Sequence, residues 1–194
     1  MRRKNHELTF YKKEKKIKPH HFKGLLYLLF WMAAVSFIAF VIVLIFGTRT
    51  SVIGEGMQPT YFNSQEVLIN KASYIVLSPK RGDVIAFYPN GNSKSHAYVK
   101  RVVAVPGDKV QIVNGHLNIN GILYEDEDKY DNMVYSGLAE NEIILGDEEY
   151  FVLGDNRNNS EDSRNGNIGP VKSDNIVGKV WFHLSCEESS MGFN

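Results

Sequence analysis

An uninterrupted apolar segment constrains this chain more than any other feature. Residues 24–46, GLLYLLFWMAAVSFIAFVIVLIF, contain no charged side chain. A helix needs about 20 apolar residues to cross the hydrocarbon core of a bilayer, so this segment is long enough to span one. A cleaved secretory signal has a shorter apolar stretch, about 7–15 residues, followed by a small-residue cleavage site, and the sequence shows neither. We therefore expect one N-terminal transmembrane helix, with the lipid bilayer as a partner.

Charge is distributed unevenly on the two sides of this segment. Residues 1–23 carry nine Lys or Arg side chains against two Glu, a net +7, and the chain as a whole is neutral, so the remainder carries −7. Basic flanks favour the cytoplasmic side of a membrane. The sequence therefore predicts a single-pass protein of the cell membrane, with a cytoplasmic basic arm and an extracellular C-terminal domain. Anionic lipid is the expected partner of the arm, and no nucleic acid is expected.

Beyond residue 50 the sequence changes to short runs of β-branched and aromatic residues separated by turn residues. The Asn114-Gly115 pair predicts a two-residue hairpin, because a type I′ turn needs positive φ at both central positions. Short strands without long helices predict a mainly β domain, a barrel or sandwich, over residues 50–186. The predicted strands are EVLIN, DVIAFY, YVKRVVAV, KVQIV, HLNIN, ILYE, EYFVLG and IVGKVWFHL.

Two segments fall outside this β pattern. Residues 125–149 are strongly acidic and are expected to form an exposed insertion between strands, and residues 187–194 form a short polar tail. Cys186 is the single cysteine, so the chain cannot form an internal disulfide. The six histidines are scattered and no His, Cys and carboxylate cluster has metal-ligand spacing, so neither a metal nor another cofactor is expected.

Three stretches contain candidate functional residues, and they are called the loaded stretches below. The first is SVIGEGMQPTYF, residues 51–62, which begins shortly after the apolar segment. Gly54 and Gly56 allow a close approach of the backbone to another group, and Pro59 fixes the chain after them. Met57 and Pro59 are expected to line a substrate groove. A simple turn beside the membrane is the alternative interpretation.

The second stretch is YVKRVVAVPGD, residues 98–108. In a strand, alternation places Lys100 on the face of Tyr98 and Val102, and Arg101 on the opposite face. Burial lowers the pKa of a lysine and frees its amine to act as a base, whereas Arg101 is expected to pair with a carboxylate. The alternative is a lysine whose amine extends along the strand into water.

The third stretch is LGDNRNNSEDSRNGNIGPV, residues 153–171, a dense polar loop after an apolar strand. Its alternating charges, among them Asp162 and Arg164, predict a salt-bridged scaffold that holds a hydroxyl such as Ser160. A calcium loop is the alternative, but the EF-hand pattern of oxygen ligands is not met.

In this order behind a membrane anchor, the stretches resemble the bacterial type I signal peptidases, of the Gram-positive type. GEGMQPT is similar to the nucleophile box of that family, RGDVIAF and YVKRVVAVPGD to the boxes around its lysine, and GDNRNNSEDSR to its last box. The resemblance covers the chain from residue 24 onward. It implies a signal-peptidase-like β domain and a serine-type endopeptidase with a serine–lysine dyad, which cleaves the signal peptides of exported precursors at the outer membrane surface.

Carried over position by position, the resemblance places Lys100 at the general base and Ser160 at the hydroxyl that orients it. Asp162 and Arg164 fall on the ion pair that braces the loop. Gly56 falls on the serine nucleophile, whose backbone also contacts the oxyanion. Here the sequence departs from the family pattern. Glycine has no side-chain oxygen, so no acyl-enzyme can form at residue 56.

Four interpretations of Gly56 remain open. The chain could bind precursors and barely cut them, beside an active serine-bearing paralogue. Gly56 could be a one-base change from serine in a normal peptidase. Another oxygen could act, from a water held by Lys100, from Thr60 or from Ser51. The protein could instead be a non-catalytic assembly chaperone, for pilins for example. In each case an extended peptide would pair with a strand edge and place small residues such as Ala in shallow pockets.

Overall fold

The structure, a computed structural model, describes residues 19–46, 48–124, 129–186 and 189–193. The chain divides into two compact units, Met1–Val41 and Ile42–Asn194. Helix α1 (Pro19–Phe46), which belongs to the first unit as far as Val41, confirms the predicted N-terminal apolar helix. Its segment Lys23–Ile42 has a mean hydropathy of 2.5, is long and apolar enough to cross a membrane, and buries none of its side chains. Residues 1–18 of the predicted basic arm lie outside the described residues.

The second unit is mainly β, as predicted. A short helix, α2 (Ser73–Val76), and 3₁₀ turns at Pro89–Gly91, Gly137–Glu140 and Ser173–Asn175 connect its strands. The strands of the described residues are β1 (Thr48–Ser51), β2 (Glu66–Asn70), β3 (Val84–Phe87), β4 (Tyr98–Ala104), β5 (Lys109–Val113), β6 (His116–Ile119), β7 (Ile122–Leu123), β8 (Ile143–Ile144), β9 (Glu149–Leu153), β10 (Val171–Lys172), β11 (Ile176–His183) and β12 (Gly192–Phe193).

These strands form two antiparallel sheets. The larger sheet has the order β1-β2-β11-β3-β4-β9-β10, with β12 paired to β11, and the smaller has the order β7-β6-β5-β8. Strand β5 alternates between buried and less buried residues, as expected of a strand with one face on a core. Strand β3 is buried at every position, because it lies in the middle of the larger sheet between β11 and β4.

The hairpin predicted at Asn114-Gly115 is present. Asn114 and Gly115 have φ values of 52° and 82°, and Val113 of β5 pairs with His116 of β6. A Cβ at Gly115 would lie 2.9 Å from the backbone oxygen of Met133, so both the turn and the packing favour glycine here. The predicted hairpin therefore fixes the register of the smaller sheet.

Part of the acidic region, which is predicted to form an exposed insertion, packs into the core of the smaller sheet. Residues 125–128 lie outside the described residues, but Met133, Ala139 and Leu145 are buried in the core of the smaller sheet. Strand β8 also pairs with β5. The few apolar residues of this region are enough to anchor it, while side chains such as Val134 stay exposed.

One apolar core places the loaded stretch 51–62 on the larger sheet. Val52, Met57 and Tyr61 of this stretch pack with Val67 of β2 and Val84 of β3. All five side chains are almost completely buried. Because apolar residues on both sides of Gly56 are held in this way, the backbone at Gly56 has a fixed position over the sheet.

Candidate active site

The fold brings the three loaded stretches together around one cavity of about 280 Å³. Residues 53–56 contribute one wall, residues 97–100 at the start of β4 contribute a second, and residues 159–161 of the polar loop contribute a third. Three segments that are far apart in sequence therefore meet around one cavity.

The closest approach in this cavity is between Gly56 and Lys100. A Cβ added at Gly56 would lie 2.7 Å from Nζ of Lys100, 3.2 Å from Oγ of Ser160 and 3.3 Å from the backbone oxygen of Asn159. The lysine amine thus points at the position where a side chain at residue 56 would begin. Since Nζ is the end of a flexible side chain, a small shift would make room for a Cβ.

Burial sets the protonation of Lys100. The residue is only 6 % exposed, and this desolvation lowers the pKa of its amine below the usual value. The carboxylates of Asp162 and Asp155 act in the opposite direction, and the guanidinium of Arg164 adds to the lowering. In the part of the chain that the structure describes, lysine ion pairs join other lysines to carboxylates but none involves Lys100. Burial therefore shifts the amine toward the neutral form that a general base requires.

Arg101, on the opposite face of β4, has the carboxylate partner that was predicted for it. Its Nε and Nη2 atoms donate to the two carboxylate oxygens of Asp155 at 2.8 and 2.6 Å, and Nη1 donates to the backbone oxygen of Gly82 at 2.9 Å. Burial alone would lower the pKa of the guanidinium, but the hydrogen bonds and charge of Asp155 outweigh it and raise the pKa. The hydroxyl of Thr60 also donates to Asp155, at 2.6 Å.

A second ion pair braces the polar loop at Asp162 and Arg164. Nε and Nη2 of Arg164 donate to the two carboxylate oxygens of Asp162, each at 2.8 Å, and both side chains are buried. Asp162 also accepts from the backbone amide of Gly154 at 3.1 Å, and Arg164 donates to the backbone oxygen of Tyr135 at 3.1 Å. The predicted ion pair is present and ties the loop to two other segments.

The polar loop also holds the backbone of the first stretch. The amide of Asn156 donates to the backbone oxygen of Gly56 at 3.1 Å. The side chain of Asn159 donates to the carboxylate of Glu55 at 3.0 Å. The first bond holds the peptide group of Gly56 and the second holds the side chain of Glu55, so the position of Gly56 does not depend on a side chain of its own.

Ser160 lies beside Gly56, but it does not hydrogen-bond to the lysine. Its Oγ is buried and has no hydrogen-bond partner among the described residues. A Cβ at Gly154 would collide with this Oγ and with the backbone oxygen of Gly56. Gly154 therefore permits the close packing that brings Ser160 next to residue 56.

Of the two predicted groove residues, Met57 requires correction, and the groove role of Pro59 stays a prediction. Met57 does not line the cavity, because its side chain is completely buried in the core on the larger sheet. Pro59 is exposed but lies outside the residues that line the cavity. Thr60, a candidate replacement nucleophile, is committed to Asp155, and Ser51 lies on β1 away from the cavity lining.

Residues 25–184 match the protein family described as signal peptidase, peptidase S26. The chain belongs to this signal peptidase family. It is 35 % identical over 161 aligned residues to signal peptidase I P of Bacillus subtilis subsp. natto, covering 76 % of this chain and 84 % of that protein. It is 34 % identical over 176 aligned residues to signal peptidase IB of Staphylococcus aureus strain Mu50, covering 81 % and 89 % of the two chains.

A solved structure is also similar to this signal peptidase family member. It is the crystal structure of a signal peptidase I from Enterococcus faecalis V583, which has 27 % sequence identity and a TM-score of 0.40. The match covers 54 % of this chain and 98 % of the other.

The sequence did not predict the contacts by which the polar loop holds residues 55 and 56. Asn156 and Asn159, which hold Gly56 and Glu55, were not separated from the other polar residues of the loop. Gly154 carried a usable signal, since a glycine at the end of an apolar strand often marks a close approach of two backbones. The partner of Asp155 could not be chosen from sequence among the basic residues available.

Proposed function

We propose that this signal peptidase family member binds the signal peptides of exported precursors beside Gly56, and that it cuts them far more slowly than a serine-bearing chain would. One observation carries the proposal: a Cβ at residue 56 would lie 2.7 Å from Nζ of Lys100. A hydroxyl on that carbon would be within reach of the amine, which is the arrangement of an activated nucleophile. The base is therefore in position, and the atom on which it would act is missing.

The chemistry of a serine at this position follows from the geometry. The neutral amine of Lys100 would take the hydroxyl proton as the oxygen attacks the scissile carbonyl, and water would later release the acyl group. With Gly56 the remaining route is a water activated by Lys100, and loss of a nucleophile costs several orders of magnitude in rate. Lys100 is the general base, and the ion pair of Asp162 and Arg164 supports the loop that places Ser160 beside residue 56.

Peptide binding does not require a hydroxyl at residue 56. The cavity has apolar lining from Ile53, Ala97 and Val99, which suits small side chains of an extended peptide. Main-chain hydrogen bonds to an extended segment would supply affinity, and the shallow lining would supply selectivity. The basic N-terminal arm favours a cytoplasmic N-terminus, which would place this cavity on the outer side of the membrane.

Cleavage by the full-length protein in detergent micelles tests the proposal. The substrate is a precursor with an Ala-x-Ala site, and release of the mature chain is followed for wild type, Gly56→Ser and Gly56→Ser/Lys100→Ala. We expect Gly56→Ser to cleave at least about 100-fold faster than wild type, because it restores the nucleophile. The double variant should fall back to the wild-type rate, because the base is then missing.

Two outcomes would change the conclusion. Equal rates for wild type and Gly56→Ser would show that residue 56 is not the nucleophile position. If Gly56→Ser binds the precursor with unchanged affinity and does not cleave it, the binding-only chaperone becomes the better description. Affinity is measured in parallel by fluorescence anisotropy with a labelled signal peptide.

A further inference from the structure

The cavity beside Gly56 contains a second kind of reactive group besides a base, namely a primary amine that has room to form a bond. Lys100 lines this cavity and is 6 % exposed, so its amine is shielded from bulk water but adjoins open space. Lysines that are held in this way, desolvated and next to a ligand cavity, are the ones that form imines with carbonyl compounds.

Gly56 provides the room for such a bond. A Cβ at residue 56 would lie 2.7 Å from Nζ of Lys100, which is closer than a non-bonded carbon and nitrogen normally approach. A larger residue would therefore crowd the amine, which would have to shift to make room for the added side chain. With glycine the amine keeps its position beside the open space of the cavity.

The carboxylates nearest to Lys100 in charge terms are paired with arginines and not with its amine. Asp155, Asp162 and Glu161 act to raise its pKa and Arg164 acts to lower it, but burial is the largest influence and lowers the pKa overall. The two aspartates are engaged by arginines, Asp155 by Arg101 and Asp162 by Arg164.

We propose that Lys100 captures aldehydes as an imine, and that the preferred ligand is an extended peptide whose C-terminal carboxylate is replaced by an aldehyde. The amine adds to the aldehyde carbon to give a carbinolamine, which loses one water molecule to leave a C=N bond to Nζ. No oxidant or reductant is needed. The preference for a peptide rests on the proposed function, whereas the capture of an aldehyde by the amine does not.

Exposed lysines of the same chain are matched controls for this reactivity. Lys109 has a half-exposed side chain and donates to Glu142 at 3.0 Å. An ordinary lysine has a pKa near 10.4, so at pH 7 roughly one amine in a few thousand is neutral. Lys100 should therefore react selectively at neutral pH, and the selectivity should disappear when the chain is unfolded.

The test uses the full-length protein in detergent micelles at pH 7. It is incubated with propionaldehyde or with an acetylated Ala-Ala-alaninal, and sodium cyanoborohydride reduces any imine to a stable secondary amine. Peptide mass spectrometry then compares modification of Lys100 with that of Lys109. We expect at least about tenfold more label on Lys100 with either aldehyde, and faster labelling with the peptide aldehyde.

Two variants decide whether the space at Gly56 is responsible. Gly56→Ala fills this space without adding a nucleophile, and Gly56→Ser fills it with a hydroxyl. Both variants should reduce labelling of Lys100 at least about tenfold. Their circular dichroism spectra should be unchanged. Equal labelling of Lys100 and Lys109, or undiminished labelling in both variants, would overturn the proposal. Selective labelling by propionaldehyde with no advantage for the peptide would support the amine chemistry and count against the peptide groove.

Discussion

The two faces of β4 hold their basic side chains in different ways. On the Arg101 face, defined by Arg101, Asp155 and Thr60, the cation is neutralised by a carboxylate that binds it through two hydrogen bonds. On the Lys100 face, defined by Lys100, Gly56 and Ser160, the amine has no ion pair within the described residues and its pKa is lowered by burial. Burial alone therefore does not decide what a basic residue does; the presence or absence of a carboxylate partner decides it.

Within the single strand β4, Arg101 therefore contributes to stability, whereas Lys100 offers a reactive amine. A buried ion pair that loses one partner leaves an uncompensated charge, so the Arg101 face should be sensitive to substitution. A buried amine without a partner already destabilises the fold, so its removal should be tolerated. The comparison predicts that substitutions on the two faces change the free energy of unfolding in opposite directions.

The largest expected effect is that of Asp155→Asn. This change keeps the size of the side chain but leaves the guanidinium of Arg101 without a counter-charge in a site where Asp155 is almost fully buried. We expect the free energy of unfolding to fall by about 3–5 kcal/mol. Urea unfolding of the full chain in micelles, followed by near-UV circular dichroism, measures it. A loss below about 1 kcal/mol would show that the pair is not structural.

A smaller loss of unfolding free energy is expected for Thr60→Val, because valine has nearly the same shape as threonine. The hydroxyl of Thr60 donates to Asp155 at 2.6 Å, and a hydrogen bond to a charged group contributes about 1.5–3 kcal/mol. Because Arg101 still satisfies the carboxylate, we expect a loss near the lower limit, about 1.5 kcal/mol, in the same unfolding experiment. An additive effect in the double variant with Asp155→Asn would contradict this, since residues of one network should couple.

The smallest change in the free energy of unfolding is expected for Lys100→Met, and it should be an increase. Replacing an unpaired buried amine by an apolar side chain should raise the free energy of unfolding by about 1 kcal/mol at pH 7. The matched control is Arg101→Met, which should be destabilising because it leaves Asp155 buried and unpaired. If both methionine variants destabilise equally, the two faces of β4 are not different in the way described.

The pH dependence of this effect follows from the pKa of Lys100. Its folded-state pKa lies below the unfolded value near 10.5, so in the interval between them the unfolded chain binds a proton that the folded chain does not. The stability of wild type should therefore rise with pH through that interval relative to Lys100→Met. The advantage of the methionine variant should shrink toward pH 10, and a constant difference from pH 7 to pH 10 would contradict the lowered pKa.

Much of the fold could be predicted from the sequence, because its longer strands have strong local patterns. The predicted runs EVLIN and KVQIV coincide with β2 and β5, and the Asn114-Gly115 turn has the expected φ values. Strands such as β8, β10 and β12 have only two residues each, and each pairs with a longer strand. A strand that short has no periodicity of its own to detect.

The candidate site could be predicted in part for a similar reason. Alternation along β4 separated Lys100 from Arg101, and the structure shows the lysine buried and the arginine paired. The role of Met57 was wrong, since its burial depends on packing against the larger sheet, and a local pattern around two glycines does not reveal this. The choice of Asp155 as the partner of Arg101 likewise required the three-dimensional arrangement.

Neither ion pair that supports the site includes an atom of residue 56. Arg101–Asp155 and Asp162–Arg164 hold their loops through their own side chains, and Asn156 holds Gly56 through its main chain. Serine and glycine codons of the AGY and GGY types differ by one base. A lineage that carries this scaffold can thus exchange glycine and serine at residue 56 in one mutational step, while the two ion pairs and the bond from Asn156 stay as they are.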